Sequence, residues 1–404
     1  MLFVALFLGP MPIRAQDREG GAIQEIRVDG LKRTRPAVVQ ELLSTYRGRH
    51  PETVDAGEVA ALLIDTGIFE DIRVGFSQGP DGAIMEIGVR EKWSLIPLPI
   101  FAAGSDGIVA GAALIDANAF GLNDKLFAVG LALPGGWMGS VAYVSPAAGS
   151  AGLGWSASAF YSRQERADLD AYGVELRRYG FDALALGLGI NRTIAGPVSG
   201  ELGLEYRSRL TEQLDGAPPA PDGYAALGLR GGLGVRAPAF WDGVFLRERS
   251  ASLDYRYYLG LEGDSFAALS ARFQYELAPL PGLKLVSCGS AIWSPDAPPA
   301  AETGADAARL IILPGAFVAR SLAGLSLGLE FRLLSLGPAN FAGLASYQIG
   351  VSEGPLIGLR LDHGPAAGLR LYLARVAVPA IDLSVAYNAV TGIPRLSFGI
   401  GMRM

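Results

Sequence analysis

Apolar and polar residues alternate along most of this chain with a period of two. The stretch LSLGLEFRLLSL, residues 325–336, shows it most plainly. Leu325, Leu327, Leu329, Phe331 and Leu333 are interleaved with Ser326, Gly328, Glu330 and Arg332. Alternation of this kind predicts a strand with two unlike faces. VSGELGLEYR sets Val198, Leu202, Leu204 and Tyr206 against Ser199, Glu201, Glu205 and Arg207. LSARFQYEL sets Leu269, Ala271, Phe273 and Tyr275 against Ser270, Arg272, Gln274 and Glu276, and SLDYRYYL keeps Asp254 and Arg256 on its polar side. From Trp93 onward about sixteen such segments follow one another, each near the ~10 residues of a tilted membrane strand. They fall roughly at 94–102, 108–116, 125–133, 137–145, 152–162, 179–190, 197–208 and 224–235. The rest fall at 245–259, 265–277, 283–294, 325–336, 339–352, 364–375, 380–388 and 394–404.

The pattern alone leaves the direction of the apolar face open. In a soluble sandwich it faces a core; in a membrane barrel it faces lipid, and the charges face the lumen. Composition decides. Apolar residues make up 50% and charged residues 18% of the chain, against about 25% charged for an average soluble domain. Mean hydropathy is +0.29, yet every apolar run is broken well before the ~20 residues of a spanning helix. The three longest connections expected, near 163–178, 209–223 and 295–324, follow strands five, seven and eleven, and so share one end of a barrel. That sorting fits an outer-membrane barrel with long external loops. Glu330 and Arg332 are then expected in the lumen.

Residues 22–92 have a different texture. AIQEIRVDG reads as a strand with Ile23, Glu25 and Arg27 on one side. Thr34 is placed to cap a helix starting at Pro36 and carrying Val38, Val39, Leu42 and Leu43. Asp55 with Glu58 three residues on announces a second helix, burying Val59, Leu62 and Leu63 and ending at Gly67. FEDIRVGF and AIMEIGVRE follow as strands around the turn Gln78-Gly79-Pro80-Asp81-Gly82. The expected order is β-α-α-β-β, in a small α/β module. Ahead of it, MLFVALFLGPMPIRAQ resembles a secretory signal peptide over residues 1–15, without a charged n-region.

The module resembles a POTRA domain through IQEIRVDGLKRT, DTGIFEDIRV and IGVREKW. With the barrel over 93–404, the whole resembles the BamA superfamily of outer-membrane assembly and translocation proteins. EKWSLIPLPIF and DANAFGLNDKL stand at the family's first two strands. GPAAGLRLYLA, AIDLSVAY and PRLSFGIGMRM stand at its last three. The family's most specific motif is an Arg in the sixth external loop that folds into the lumen. Here LPGAFVARSLAGL puts Arg320 at that position, with Ser321 and Leu322 replacing the Gly and aromatic that follow it. A guanidinium inside a lumen calls for a carboxylate, and Glu330 is the expected partner. On the next strand Gln348 stands where the family often supplies an Asp. The final strand ends Gly401-Met402-Arg403-Met404, without the family's terminal aromatic.

The resemblance implies insertion of β-barrel proteins into the outer membrane. Unfolded precursors would be captured by the periplasmic module and inserted at the barrel seam, among outer-membrane lipids, with accessory lipoproteins or periplasmic chaperones as further partners. A two-partner-type secretion transporter and a passive pore or structural barrel remain as alternatives. No enzyme chemistry or cofactor is expected. His50 and His363 are the two histidines, and Asp362 beside His363 carries no nucleophile motif. A lone Cys288 supports neither a disulfide nor a zinc site. The net charge of −6 and the lack of a basic block argue against nucleic acid.

Overall fold

The computed structural model describes residues 21–104, 107–148, 152–237, 240–241, 246–247, 249–336, 339–373 and 381–400. The signal-like stretch 1–15 and the terminal Gly401–Met404 lie outside the described residues. The chain divides into two units, Met1–Lys92 and Trp93–Met404.

The first unit holds β1 (Ile23–Asp29), α1 (Pro36–Leu42), α2 (Ala56–Asp65), β2 (Phe69–Gly79) and β3 (Gly82–Glu91). Its sheet runs β1-β3-β2, with β1 parallel and β2 antiparallel to the central β3. Val39, Leu43, Val59 and Leu63 from the helical side meet Ile23, Ile26, Phe69, Met85 and Ile87 from the strands, all nearly inaccessible. Burying a side chain of this size contributes roughly 1.5–3 kcal/mol. Two local expectations need correction. A register shift between Ile23 and Glu25 resets the alternation of β1, so that Ile23 and Ile26 are both buried while Glu25 and Arg27 are exposed. Arg35, not Thr34, is the N-cap of α1, without a side-chain cap. The Thr34 amide is instead held by Glu91 at 2.8 Å. Asp55 caps α2 through the Gly57 amide at 2.7 Å, and Gly67 leaves the helix at φ +77, in the left-handed region that glycine adopts freely.

The second unit begins with β4 (Leu95–Gly104), β5 (Gly107–Ala119), β6 (Asp124–Leu133), β7 (Gly136–Ala148), β8 (Leu153–Leu169) and β9 (Glu175–Ala195). It continues with β10 (Val198–Gln213), β11 (Tyr224–Arg236), the short β12 (Phe240–Trp241) and β13 (Leu246–Arg247), β14 (Arg249–Glu262), β15 (Phe266–Leu280) and β16 (Leu283–Trp293). Last come the short β17 (Thr303–Gly304) and β18 (Val318–Ala319), then β19 (Ser321–Leu336), β20 (Ala339–Gly354), β21 (Gly358–Leu373), β22 (Ile381–Asn388) and β23 (Ile393–Ile400). Apart from the four short strands, which form two pairs, these strands close into one antiparallel barrel of sixteen, each bonded to its chain neighbour, with β23 returning to β4. The rim where β4 begins is called proximal below, and the opposite rim distal.

The alternation resolves as lipid-facing apolar residues and a polar lumen. In β19, Leu327, Leu329, Phe331 and Leu333 are exposed on the outside while Glu330 is fully buried. The bulge between Arg332 and Leu334 ends that regularity, and Arg332 is exposed beside the Gly282 turn. The loop expected at 163–178 is mostly strand: β8 runs to Leu169 and β9 starts at Glu175. Arg163, Gln164, Glu165, Arg166 and Asp168 are polar on both faces, so no alternation marks the ladder that continues there. On the proximal rim, the connection 237–248 departs from the sorting of long loops to one end.

Candidate functional site

Among the described residues β23 meets β4 through three pairs: Phe398↔Ala103, Gly399↔Ala102 and Ile400↔Phe101. The β8–β9 ladder, by comparison, runs from Leu153↔Arg192 to Leu169↔Glu175. The seam is short at its distal end because β4 stops at Gly104 and the chain turns back into β5 at Gly107. Ile393–Leu396 thus have no β4 residue opposite them among those described. Pro97 and Pro99 interrupt β4 as well. Neither can donate to a ladder, which confines proline to strands lacking a full partner on one side. Phe101 and Phe398 meet edge to face at 6.2 Å across the join.

The wall leading to this seam is held otherwise. Glu276 of β15, Lys284 of β16, Glu330 of β19, Arg370 of β21 and Asp382 of β22 alternate in sign around the lumen, none more than 8% exposed. Lys284 Nζ lies 2.6 Å from Glu330 Oε2 and 3.5 Å from Glu276. Arg370 reaches Glu330 at 3.5 Å and Asp382 at 2.5 Å, and the Tyr372 hydroxyl donates to Glu330. On the intervening β20 the small Ala342 packs against Tyr372, letting the belt pass over. Charges so buried persist only when paired and hydrogen-bonded.

The connection 294–320 folds into the lumen. Its Leu310, Ile312, Leu313 and Phe317 form one apolar cluster with Leu322, Ala366 and Ala386 of the wall. Polar ties fix it on several sides. Gln348 Oε1 accepts the amides of Ile311 at 2.9 Å and Ile312 at 3.3 Å. Asn388 Nδ2 donates to Ile312 O at 3.3 Å and to Asp362 at 2.9 Å. On the far wall Leu169 N donates to Ala316 O at 2.9 Å, and Arg177 joins Asp168, at 2.9 Å, to Glu302 of the loop.

The three residues expected to form one lumen lock are not brought together. Arg320 pairs with Glu302, Nε to Oε1 at 3.8 Å, and donates to Pro295 O at 3.2 Å. It does not reach Glu330. The two stand ten positions apart along one extended backbone, about 33 Å at ~3.3 Å per residue, so Glu330 belongs to the proximal belt. Gln348 does hold the loop, but by main-chain amides rather than by Arg320. Asp168, Arg177, Glu302, Lys284, Arg370 and Asp382 were not singled out from sequence. For Lys284, Arg370 and Asp382 the signal was there, since each takes a lumen position in its strand by alternation. Asp362 and His363, as strand neighbours, face opposite ways: Asp362 binds Arg360 at 2.7 Å, while His363 Nδ1 meets the Tyr347 hydroxyl at 2.6 Å.

A closed sixteen-stranded barrel with an apolar exterior and an ion-paired lumen crossed by an inward loop is the architecture of an outer-membrane barrel. No protein-family model matches the chain. The outer membrane protein assembly factor BamA of Nitratidesulfovibrio vulgaris is 32% identical over 112 residues, 27% of this chain and 14% of that protein. The match therefore spans about one seventh of that relative's length. Among solved structures, BamA from Haemophilus ducreyi lacking POTRA domains 1-3 aligns with a TM-score of 0.63 at 13% identity, covering 94% of this chain and 84% of that one. CdiB from Acinetobacter baumannii aligns with a TM-score of 0.67 at 14% identity, covering 94% and 74%. The barrel thus shares the fold of the BamA and CdiB outer-membrane barrels, and part of the chain is similar in sequence to a BamA protein.

Proposed function

We propose that this protein inserts β-barrel precursors into the outer membrane at the β23–β4 seam. The observation that carries the reading is the seam itself, a join of three described pairs and one aromatic contact in an otherwise long-laddered wall. Opening it exposes two strand edges onto which a precursor can add its own strands. Transfer of the precursor's apolar face into lipid drives the process without nucleotide chemistry. The first unit is a POTRA-like domain on the periplasmic side. Its β1 and β2 are edge strands of a three-stranded sheet, suited to holding extended precursor segments by strand addition.

Secretion of one partner through the lumen is the second reading. It is supported by the alignment to CdiB barrels, which matches that to BamA in quality. It requires the loop 294–320 to leave the lumen. The ties of that loop to both walls make an open passive pore the poorest fit.

The test replaces Ala102 and Gly399, registered across the seam, by cysteines in a Cys288→Ser background. Oxidation should stop insertion of several unrelated barrel precursors into proteoliposomes, and reductant should restore it. Full insertion through a locked seam would sink the reading. Loss confined to one secreted protein would transfer it to the second.

A further inference from the structure

Between the inward loop and the distal walls lies a cavity of about 780 Å³. Six arginines line it, Arg166, Arg178, Arg207, Arg209, Arg256 and Arg320, against two carboxylates, Glu165 and Glu302. Some of that charge is met from behind. Asp168 takes Arg166 at 2.6 Å, Glu175 takes Arg178 at 2.5 Å, and Glu205 takes Arg207 at 3.4 Å and Arg256 at 3.7 Å. Arg177 divides itself between Asp168 and Glu302. With all these groups counted, arginines still outnumber carboxylates by two.

The excess has an address. Among the described residues Arg209 pairs with no carboxylate: its guanidinium donates to Ala300 O and lies 4.7 Å over the Phe181 ring. The Nε groups of Arg207, Arg209, Arg256 and Arg320 are buried without a hydrogen-bond acceptor. Buried donors left unmade are costly, and most of those in folded proteins find a partner. All four of these arginines belong to the lining of the one cavity.

We propose that this cavity binds a phosphate-bearing ligand. A phosphate monoester brings about two negative charges and three strong acceptor oxygens, matching the charge excess; a carboxylate brings one charge. Arginine's planar fork suits phosphate geometry. The volume lies within the ~300–1,000 Å³ of small-ligand sites, with room for a sugar-sized carrier. Glu302 occupies part of the same cationic field from the loop side and competes with the ligand for Arg320 and Arg177. This site is independent of the insertion reading, because it rests on the cavity alone.

Calorimetric titration of the full-length protein in detergent micelles tests it. The probes are inorganic phosphate, glucose 1-phosphate and short-chain phosphatidic acid, with glutamate as the carboxylate control. Arg209→Gln should weaken phosphate binding about tenfold or more. Glu302→Gln should tighten it several-fold by removing the competitor (roughly, from the same charged hydrogen-bond scale). Arg332→Gln, at the proximal rim, should leave it unchanged. Opposite signs for the first two variants cannot come from a general loss of structure. If Arg209→Gln gives no heat-modifiable barrel, Arg256→Gln is read in its place. Binding of phosphatidic acid alone would identify a lipid headgroup as the source, and binding of inorganic phosphate a free anion; either supports the site. Absence of binding by all three probes, glutamate binding as tight as phosphate, or changes of the same sign in Arg209→Gln and Glu302→Gln would overturn it.

Discussion

The wall from β15 to β22 and the join between β23 and β4 close the same barrel by different means. The wall is stitched inside by five charges of alternating sign, none more than 8% exposed. The belt ends at Asp382 on β22. One strand further, the described pair on the lumen side of the join is Gly399 and Ala102, neither of them charged. Outside, the join has one aromatic pair. A barrel that must stay closed has no use for a weak join, and one that must open has no use for a weak wall beside it. Under the proposed function, a join that opens beside an ion-paired flank is the arrangement that insertion at the seam requires.

Breaking the wall should have the largest effect. Lys284→Ala leaves Glu330 and Glu276 buried with one cation fewer, and removing one partner of a buried pair costs about 3–5 kcal/mol. The midpoint of heat modifiability on gels should fall sharply, and Glu330→Gln in the same background should recover part of it. An unchanged midpoint would show that the belt is not what holds the wall. Phe398→Ala tests the other side. It removes a ring contact worth about 0.5–1.5 kcal/mol beyond its burial, so global stability should change little. Cysteine pairs across the seam should oxidise with altered kinetics, while pairs across β8–β9 should not. The smallest effect belongs to the first unit, where Glu91 joins β3 to the segment before α1. Burial pushes its carboxyl up, but hydrogen bonds from the Thr34 side chain and from the Arg33 and Thr34 amides outweigh this and hold it below the usual carboxylate range. A depressed folded value stabilises above the unfolded value, about 4.3, and that contribution fades as pH falls through the folded value. Exchange of the Arg33 and Thr34 amides should therefore accelerate in acid, and Glu91→Gln should flatten that response without moving the barrel's own.

Much of the barrel was legible because lipid enforces alternation where it touches the wall. Sixteen strands and most boundaries follow from that one rule. It fails where lipid stops. The β8–β9 extension is polar on both faces and reads as loop, although Arg166, Asp168 and Arg177 hold it as a ladder. The register shift in β1 defeats a strict period of two in the same way. The loop partners were hidden for another reason. Glu302 sits in a segment without periodicity, so nothing in the spacing says it will meet Arg177, 125 positions away, or Arg320. Glu330 was assigned the right face and the wrong partner: alternation tells the side of a wall, not the height along it.

Gln348 carries a consequence for how the inward loop responds to its surroundings. Its amide oxygen holds the loop by main-chain N–H groups, a tie that neither protons nor salt weaken much. The other end of the same loop hangs on guanidinium–carboxylate pairs at Glu302, which answer to ionic strength wherever water reaches them. The loop is thus held both by neutral ties indifferent to the medium, at Gln348, Asn388 and Leu169, and by ion pairs that feel it where water reaches them.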